Sequence, residues 1–307
     1  MIAFFAKIFG FVLNFIYEIV GNYGIAIILF SILIKLVMLP ISIKQQKTMK
    51  KSVKIQAKMK EIQIKYKNNP EKINQETMEL YKNENMSPFS GCFSAIAQII
   101  LLFAVFYLVR SPLTYMKKAD PAVIEKYTKI IHEYELSENS AYPEIDVIRE
   151  IDNIKNLKNS ENSEQTEERT DLAEINDEEL EQLNINMEFF GLNLAQVPTK
   201  SSDWKAYIIP ILYVLISVLS MKITNQKSTP KPEPQENKDE KALSNPEEEF
   251  DPMAYMNKNM NIMFPIMYLS VALIAPLGLA LYWLTNSLLM IVERLSLNKL
   301  LKDEEEK

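Results

Sequence analysis

Five apolar runs, at residues 22–43, 89–109, 206–221, 260–275 and 277–292, alternate with long charged stretches, and no other feature constrains the fold as strongly. A bilayer core about 30 Å thick takes roughly 20 helical residues to cross, so the first three runs read as full spans and the last two as short ones. Averaged over the chain, 24% of residues are charged and the net charge is −6, values that would suit a soluble protein and conceal the segregation. The expected fold class is an all-α polytopic membrane protein with five transmembrane helices.

Lysine distribution sets the expected orientation, because basic flanking loops stay cytoplasmic. The stretch "IKQQKTMKKSVKIQAKMKEIQIKYK" after the first run is dense in lysine, whereas residues 113–203 are strongly acidic. The first span, 22–43, therefore runs inward, a basic helical hairpin at 44–86 is cytoplasmic, and the second span, 87–110, returns. An acidic insert at 111–203 lies outside, and "PAVIEKYTKIIHEYEL" and "PEIDVIREIDNIKNL" within it have helical apolar spacing. The third span, 204–222, leads into a flexible cytoplasmic linker at 223–257, rich in Pro, Lys and Glu. The fourth and fifth spans, 258–275 and 276–294, form a hairpin turning at Ala275 to Gly278, and a tail at 295–307 ends in the cytoplasm. Residues 1–21 put Lys7, Asn14 and Glu18 on one helical face, which suits an amphipathic helix in the membrane interface, with a sixth span as the other assignment. That segment lacks an A-x-A-like cleavage site and is expected to be retained.

Residue supply argues against an enzyme. Cys92 and His132 are each the only residue of their kind, so a disulfide within the chain and a cysteine-rich metal site are excluded, and a histidine-based catalytic pair has almost nothing to work with. The phosphate-binding pattern G-x-x-x-x-G-K-[ST], the dinucleotide pattern G-x-G-x-x-G and the zinc pattern H-E-x-x-H do not occur. Neither a cofactor nor a metal is expected. Matching halves with Gly- or Pro-broken helices, the mark of inverted-repeat transporters, are not found either.

One residue breaks the apolar logic. Lys35 sits within "FSILIKLVMLP", about eight residues from the end of the first run, or roughly 12 Å at 1.5 Å per residue. A lysine stem reaches only part of that distance, so Lys35 either reaches the headgroups through a locally thinned bilayer or, as is expected here, faces the bundle interior or a water-filled cavity, where ionisable groups mark function. Acidic residues are confined to loops and ends, apart from Glu18, so no partner is expected at that depth. A hydrated cavity with an anionic occupant follows. The two short runs, of about 24 Å each as helix, fit either a locally thinned bilayer or helices that extend further, with Asn257 to Asn261 and Glu293-Arg294 in the interface.

In the basic hairpin, Ile55, Met59, Ile62 and Tyr66 recur at helical spacing among lysines that include Lys54 and Lys58. Asn68, Asn69 and Pro70 end that helix, and Pro70 suits the first turn of the next, whose Ile73, Thr77, Leu80 and Tyr81 share a face. The lysines can bind anionic lipid headgroups, RNA or acidic polypeptide. Without interleaved aromatic residues they do not point to specific nucleic-acid reading. Met256, Met260, Met263 and Met267 line one face of the fourth span, as packing filler or as a soft surface for varied apolar partners.

Taken in order, "GNYGIAIILFSILIKLVMLPISIKQ", "YKNNPEKINQETMELYKNENMSPFSGC", "YLVRSPLTY", "YIIPIL" and "PLGLALYW" resemble the YidC family of membrane protein insertases, in its five-span form without the large periplasmic domain. The resemblance implies five helices around a hydrophilic groove open to the cytoplasm and to lipid. It places Lys35, Gln98 and Trp283 at groove or core positions, with Lys35 where relatives usually carry arginine. Ser220 stands where relatives often have glutamine. Relatives often end in a basic ribosome-contacting tail, whereas this chain ends in "NKLLKDEEEK", which argues against tail-mediated ribosome contact.

The function so implied is that of an insertase and foldase in the bacterial cytoplasmic membrane, working without nucleotide hydrolysis of its own. Its partners would be nascent membrane proteins with hydrophobic segments, membrane lipids, a Sec translocon and the ribosome. The groove around Lys35 would receive a client's polar, often acidic, flank. The apolar segment would leave along a slide formed by Ile211, Leu215 and Leu219 of the third span and Leu281, Leu284 and Leu288 of the fifth. The alternative reading is an anion-conducting channel or transporter that uses Lys35 as its selective charge.

Overall fold

The computed structural model describes residues 1–67, 69–84, 90–137, 141–161, 172, 174–225, 267 and 269–305. Among the described residues the fold is all-α apart from one two-stranded ribbon. Helix α1 (Ile2–Val20) is followed by α2 (Tyr23–Lys65), α3 (Pro70–Asn83) and α4 (Ser90–Arg110). A five-residue π-helical turn (Leu113–Lys117) then leads into α5 (Pro121–Glu133), α6 (Pro143–Glu161) and α7 (Asp177–Leu183). Strands β1 (Glu188–Phe189) and β2 (Leu192–Asn193) pair antiparallel ahead of α8 (Ile208–Asn225) and α9 (Leu277–Glu305).

Three helical stretches among the described residues, Ile2–Val20, Tyr23–Thr48 and Trp204–Ile223, are long and apolar enough to cross a membrane, and Ile99–Arg110 is a shorter apolar one. Most of the fourth span, Met256, Met260 and Met263 included, and the linker from residue 226 lie outside the described residues.

Two helices are longer than the apolar runs that define them. The first span and the first hairpin helix are one helix of 43 residues, α2, about 64 Å long at 1.5 Å per residue, with Pro40 inside it. Asn22 caps its start by accepting from the Ile25 amide at 3.1 Å. Likewise the fifth apolar run lies within the 29 residues of α9, so this helix is not short. Charged residues such as Glu293 and Arg294 are good helix formers and carry the helix on past the apolar run.

At the joint between α2 and α3, Asn69 accepts from the Lys72 amide at 3.1 Å and Pro70 takes the first helical position. The second helix of this hairpin has no buried residue among its 14, so it is held by thin, half-buried contacts.

The described residues of 111–203 form a small helical layer on one end of the bundle, here the insert end. Ile130 and Ile131 of α5, Ile145, Ile148 and Ile151 of α6, and Leu180 and Leu183 of α7 are buried in a core continuous with the helix ends beneath. Lysines of α5 and α6 tie α7 down: Lys126 to Glu179, Lys155 to Glu181 at 2.5 Å and Lys158 to Asp177 at 2.7 Å.

Candidate functional site

Helix N-termini leave amides without intrahelical partners, and here the insert supplies acceptors for them. Tyr23 N–H donates to the Asn186 carbonyl at 3.0 Å, Leu277 N–H to Gln196 at 2.9 Å and Gly278 N–H to Leu194 at 2.9 Å. The Asn22 side chain adds a bond to the Glu188 carbonyl at 2.5 Å, and Asn186 donates to the Gly21 carbonyl at 3.1 Å. One segment, 186–196, therefore binds the end of α1 and the starts of α2 and α9. It ties these three helix ends together at the insert end.

Packing loosens away from those ties. On α2, Tyr23, Ala26, Ile27, Phe30 and Ser31 are buried within the first three turns, residues 32–48 are half-buried or exposed, and burial returns at Ile55 in the hairpin part of the helix. On α9 burial is nearly continuous from Leu277 to Tyr282, returns at Thr285, and recurs later only at Leu297 among the described residues.

Lys35 lies at this transition, and it has a partner. Its Nζ is 3.0 Å from Glu293 Oε2, with side-chain exposures of 23% and 13%. The expectation that no acidic residue reaches Lys35 is thereby corrected. Helices α2 and α9 start side by side, since a Cβ on Gly278 would lie 3.4 Å from the Tyr23 ring. Counted from the contacting pair Tyr23 and Gly278, Glu293 lies about three residues deeper than Lys35, or roughly 4–5 Å. Helical side chains lean toward the N-terminus, so the carboxylate reaches back over that gap. A second polar contact, Gln46 Nε2 to Asn298 Oδ1 at 2.9 Å, joins the same two helices further on. The signal in the sequence was the absence of any helix breaker between Trp283 and Leu300, which continues the helical register through Glu293.

The faces of α8 divide sharply. Tyr213, Ser217 and Ser220 are buried at i, i+4 and i+7, with Tyr213 against Trp283 at 5.8 Å between ring centroids. Ile211, Leu215 and Leu219 form the opposite row, 51%, 60% and 46% exposed. On α9, Leu288 is exposed and Leu284 half-buried, but Leu281 is 4% exposed. Leu281 belongs to the core and not to an exposed apolar track, because it shares the packed first turns of α9 with Tyr282 and Ala280.

Thr285 is a further buried polar residue that sequence reasoning did not single out. Ser31 is satisfied within its helix by the Ile27 carbonyl at 2.7 Å, whereas Ser217 Oγ and Glu293 Oε1 are buried without a hydrogen-bond partner among the described residues. Gln98 falls in α4, and its side chain, like that of Lys54, lies outside the described residues.

In the hairpin, Ile55 is buried, Ile62 is half-buried, and Met59 accepts from the Tyr81 hydroxyl at 3.6 Å. Lys58 pairs with Glu84 at 2.5 Å, and Tyr66 donates to Glu76 at 3.1 Å. The Lys72 ammonium lies 5.1 Å from the Tyr66 ring centroid. No group of three or more metal-binding side chains occurs among the described residues.

The family model described as 60Kd inner membrane protein matches residues 15–305. Among similar proteins, the membrane protein insertase YidC of Fusobacterium nucleatum subsp. nucleatum is 40% identical over 119 residues, which is 36% of this chain and 58% of that protein. The protein of the same name from Caldanaerobacter subterraneus subsp. tengcongensis is 41% identical over 106 residues, covering 34% of this chain and 52% of its own length. The one from Clostridium perfringens is 43% identical over 105 residues, 34% and 44% respectively. The matched stretch thus spans about half the length of these relatives. On the family match across nearly its whole length, this multi-pass bacterial membrane protein belongs to the 60Kd inner membrane protein family.

Proposed function

We propose that the chain inserts and folds hydrophobic segments of newly made proteins into the bacterial cytoplasmic membrane, with no bond-making chemistry of its own. The observation that carries this reading is an asymmetry of packing. The bundle is tied together at the insert end, loosens toward the basic hairpin, and holds Lys35, Glu293, Ser217, Ser220 and Thr285 where the tight packing gives way. The names of the similar proteins, membrane protein insertase, support it independently.

In this reading the hairpin end faces the cytoplasm and the insert lies outside. We assign helix α1 to the membrane interface at the insert end, which the contacts of Gly10 and Glu18 with the same short π-helical turn, at Tyr115 and Lys117, support, although its length and hydropathy also suit a sixth span. The hairpin meets the emerging segment, and polar groups near Lys35 and α8 solvate its flank. Shortening the polar path through the bilayer lowers the barrier to moving that flank. The apolar part passes along Ile211, Leu215, Leu219 and Leu288, driven by its own transfer from water to lipid. An anion channel is a poorer fit, because Glu293 at 3.0 Å already neutralises the charge such a channel would use.

The test is insertion of a single-span reporter with an acidic translocated tail into liposomes holding the wild type, Lys35→Arg or Lys35→Met. Insertion above empty liposomes by wild type and Lys35→Arg, with Lys35→Met impaired, is expected. Wild type performing no better than empty liposomes would overturn the proposal.

A further inference from the structure

Lys35 is not a bare positive charge, and this alters how an acidic segment can use it. We propose that Glu293 is a resident counter-ion that holds the Lys35 site when no client is bound, so that an acidic client flank enters only by exchanging with it. This assignment rests on the insertase reading for its biological meaning, though its chemistry is testable alone.

Three observations carry it. The pair is made by a single contact, Nζ to Oε2 at 3.0 Å, and the other carboxylate oxygen, Oε1, is buried with no hydrogen-bond partner among the described residues. A carboxylate bound through one oxygen, with the other desolvated and unsatisfied, is held less firmly than one with both oxygens satisfied. Second, the contact joins α2 to α9 where the tight packing of both helices gives way, so an incoming group need not break a packed core. Third, Lys35 retains 23% side-chain exposure, enough for a second carboxylate to approach.

Exchange of one carboxylate for another leaves the number of charges in the site unchanged. A segment with a neutral flank leaves the pair intact. Glu293 therefore sets selectivity: it holds down affinity for acidic flanks that an unpaired Lys35 would bind tightly, and so keeps them releasable.

The probes are two synthetic 20-residue apolar peptides, identical except for Asp or Asn in the flank, titrated against the full chain in zwitterionic nanodiscs. Wild type is expected to bind the two about equally. Glu293→Gln is expected to favour the Asp peptide by about three- to fivefold, the upper part of the range for partly exposed ion pairs. Adding Lys35→Met should abolish that preference. Should Glu293→Gln fold poorly, Glu293→Asp, which retracts the carboxylate by one methylene, is expected to give an intermediate preference. An Asp to Asn ratio unchanged in folded Glu293→Gln or Glu293→Asp would overturn the proposal. Running reporter insertion in parallel separates the two ideas: a shifted binding ratio without insertion by wild type would sink the insertase reading and leave the counter-ion standing.

Discussion

Gly10 approaches the backbone at Tyr115 so closely that a Cβ on it would lie 2.0 Å from the Tyr115 carbonyl oxygen. The contact presses α1 onto the π-helical turn, between Ala6 and Leu13, which are fully buried on the same face of α1. Only a residue without a side chain fits there. Gly10→Ala is expected to push the two elements apart and destabilise the chain by about 1–3 kcal/mol, the usual cost of overpacking. Thermal unfolding in detergent measures the loss. Faster amide exchange confined to α1 and residues 113–117 would place it at this contact.

A second close approach involves Gly24 and the ribbon. A Cβ on Gly24 would lie 2.3 Å from the Phe189 ring, which the β1–β2 turn lays over the start of α2. Gly24→Ala should therefore weaken the packing at the insert end. Trimming the obstructing ring should relieve the clash, so Gly24→Ala with Phe189→Ala is expected to be less destabilised than the sum of the single changes. Melting temperatures of the four proteins in a double-mutant cycle test this, and simple additivity would contradict it.

Glu144 predicts a pH dependence. It accepts from the Thr114 amide at 3.0 Å and from the Thr114 hydroxyl at 2.6 Å. Burial nevertheless raises its carboxyl above the ordinary 4.5, outweighing those hydrogen bonds, which pull the other way. The folded chain therefore holds this proton more tightly than the unfolded chain. The linked stabilisation is fully present below about 4.5 and is lost as pH rises through the higher folded value. The stability difference between wild type and Glu144→Gln should shrink as pH is raised from 4 to 8. A difference that grows over that range would mean the hydrogen bonds outweigh burial.

Helix α3 should be the least protected of the described helices of the bundle and hairpin, because it buries none of its residues. Tyr66 holds the joint through its hydroxyl bond to Glu76 at 3.1 Å and the Lys72 ammonium over its ring. Tyr66→Ala is expected to cost about 1 kcal/mol locally. Hydrogen exchange should speed up in α3 and the last turns of α2, with residues 23–31 unchanged.

Much of this architecture was legible because a helix is a local object. Its hydrogen bonds run from residue i to i−4 and its apolar face repeats every 3.6 residues, so a short window carries the information. The helices at 121–133 and 143–161, the start of α3 at Pro70 and the shared faces of the hairpin all follow from such windows. Boundaries set by hydropathy alone were less reliable. Apolar runs mark where lipid or core is met, not where hydrogen bonding stops, and so α2 and α9 continue well past their runs.

Membership of a membrane-spanning, all-α family, and the unusual character of Lys35, were thus decided by the order of residues along the chain. The partner of Lys35 was not. Glu293 lies 258 positions away, and whether its carboxylate meets the lysine depends on how α2 and α9 are set along their axes. That register is fixed at the insert end, where Tyr23 stands against Gly278 and segment 186–196 binds the starts of both helices. Local hydrogen bonding makes each helix, but a sum of distant contacts sets their relative height, and a difference of a few ångströms separates an ion pair from two isolated charges.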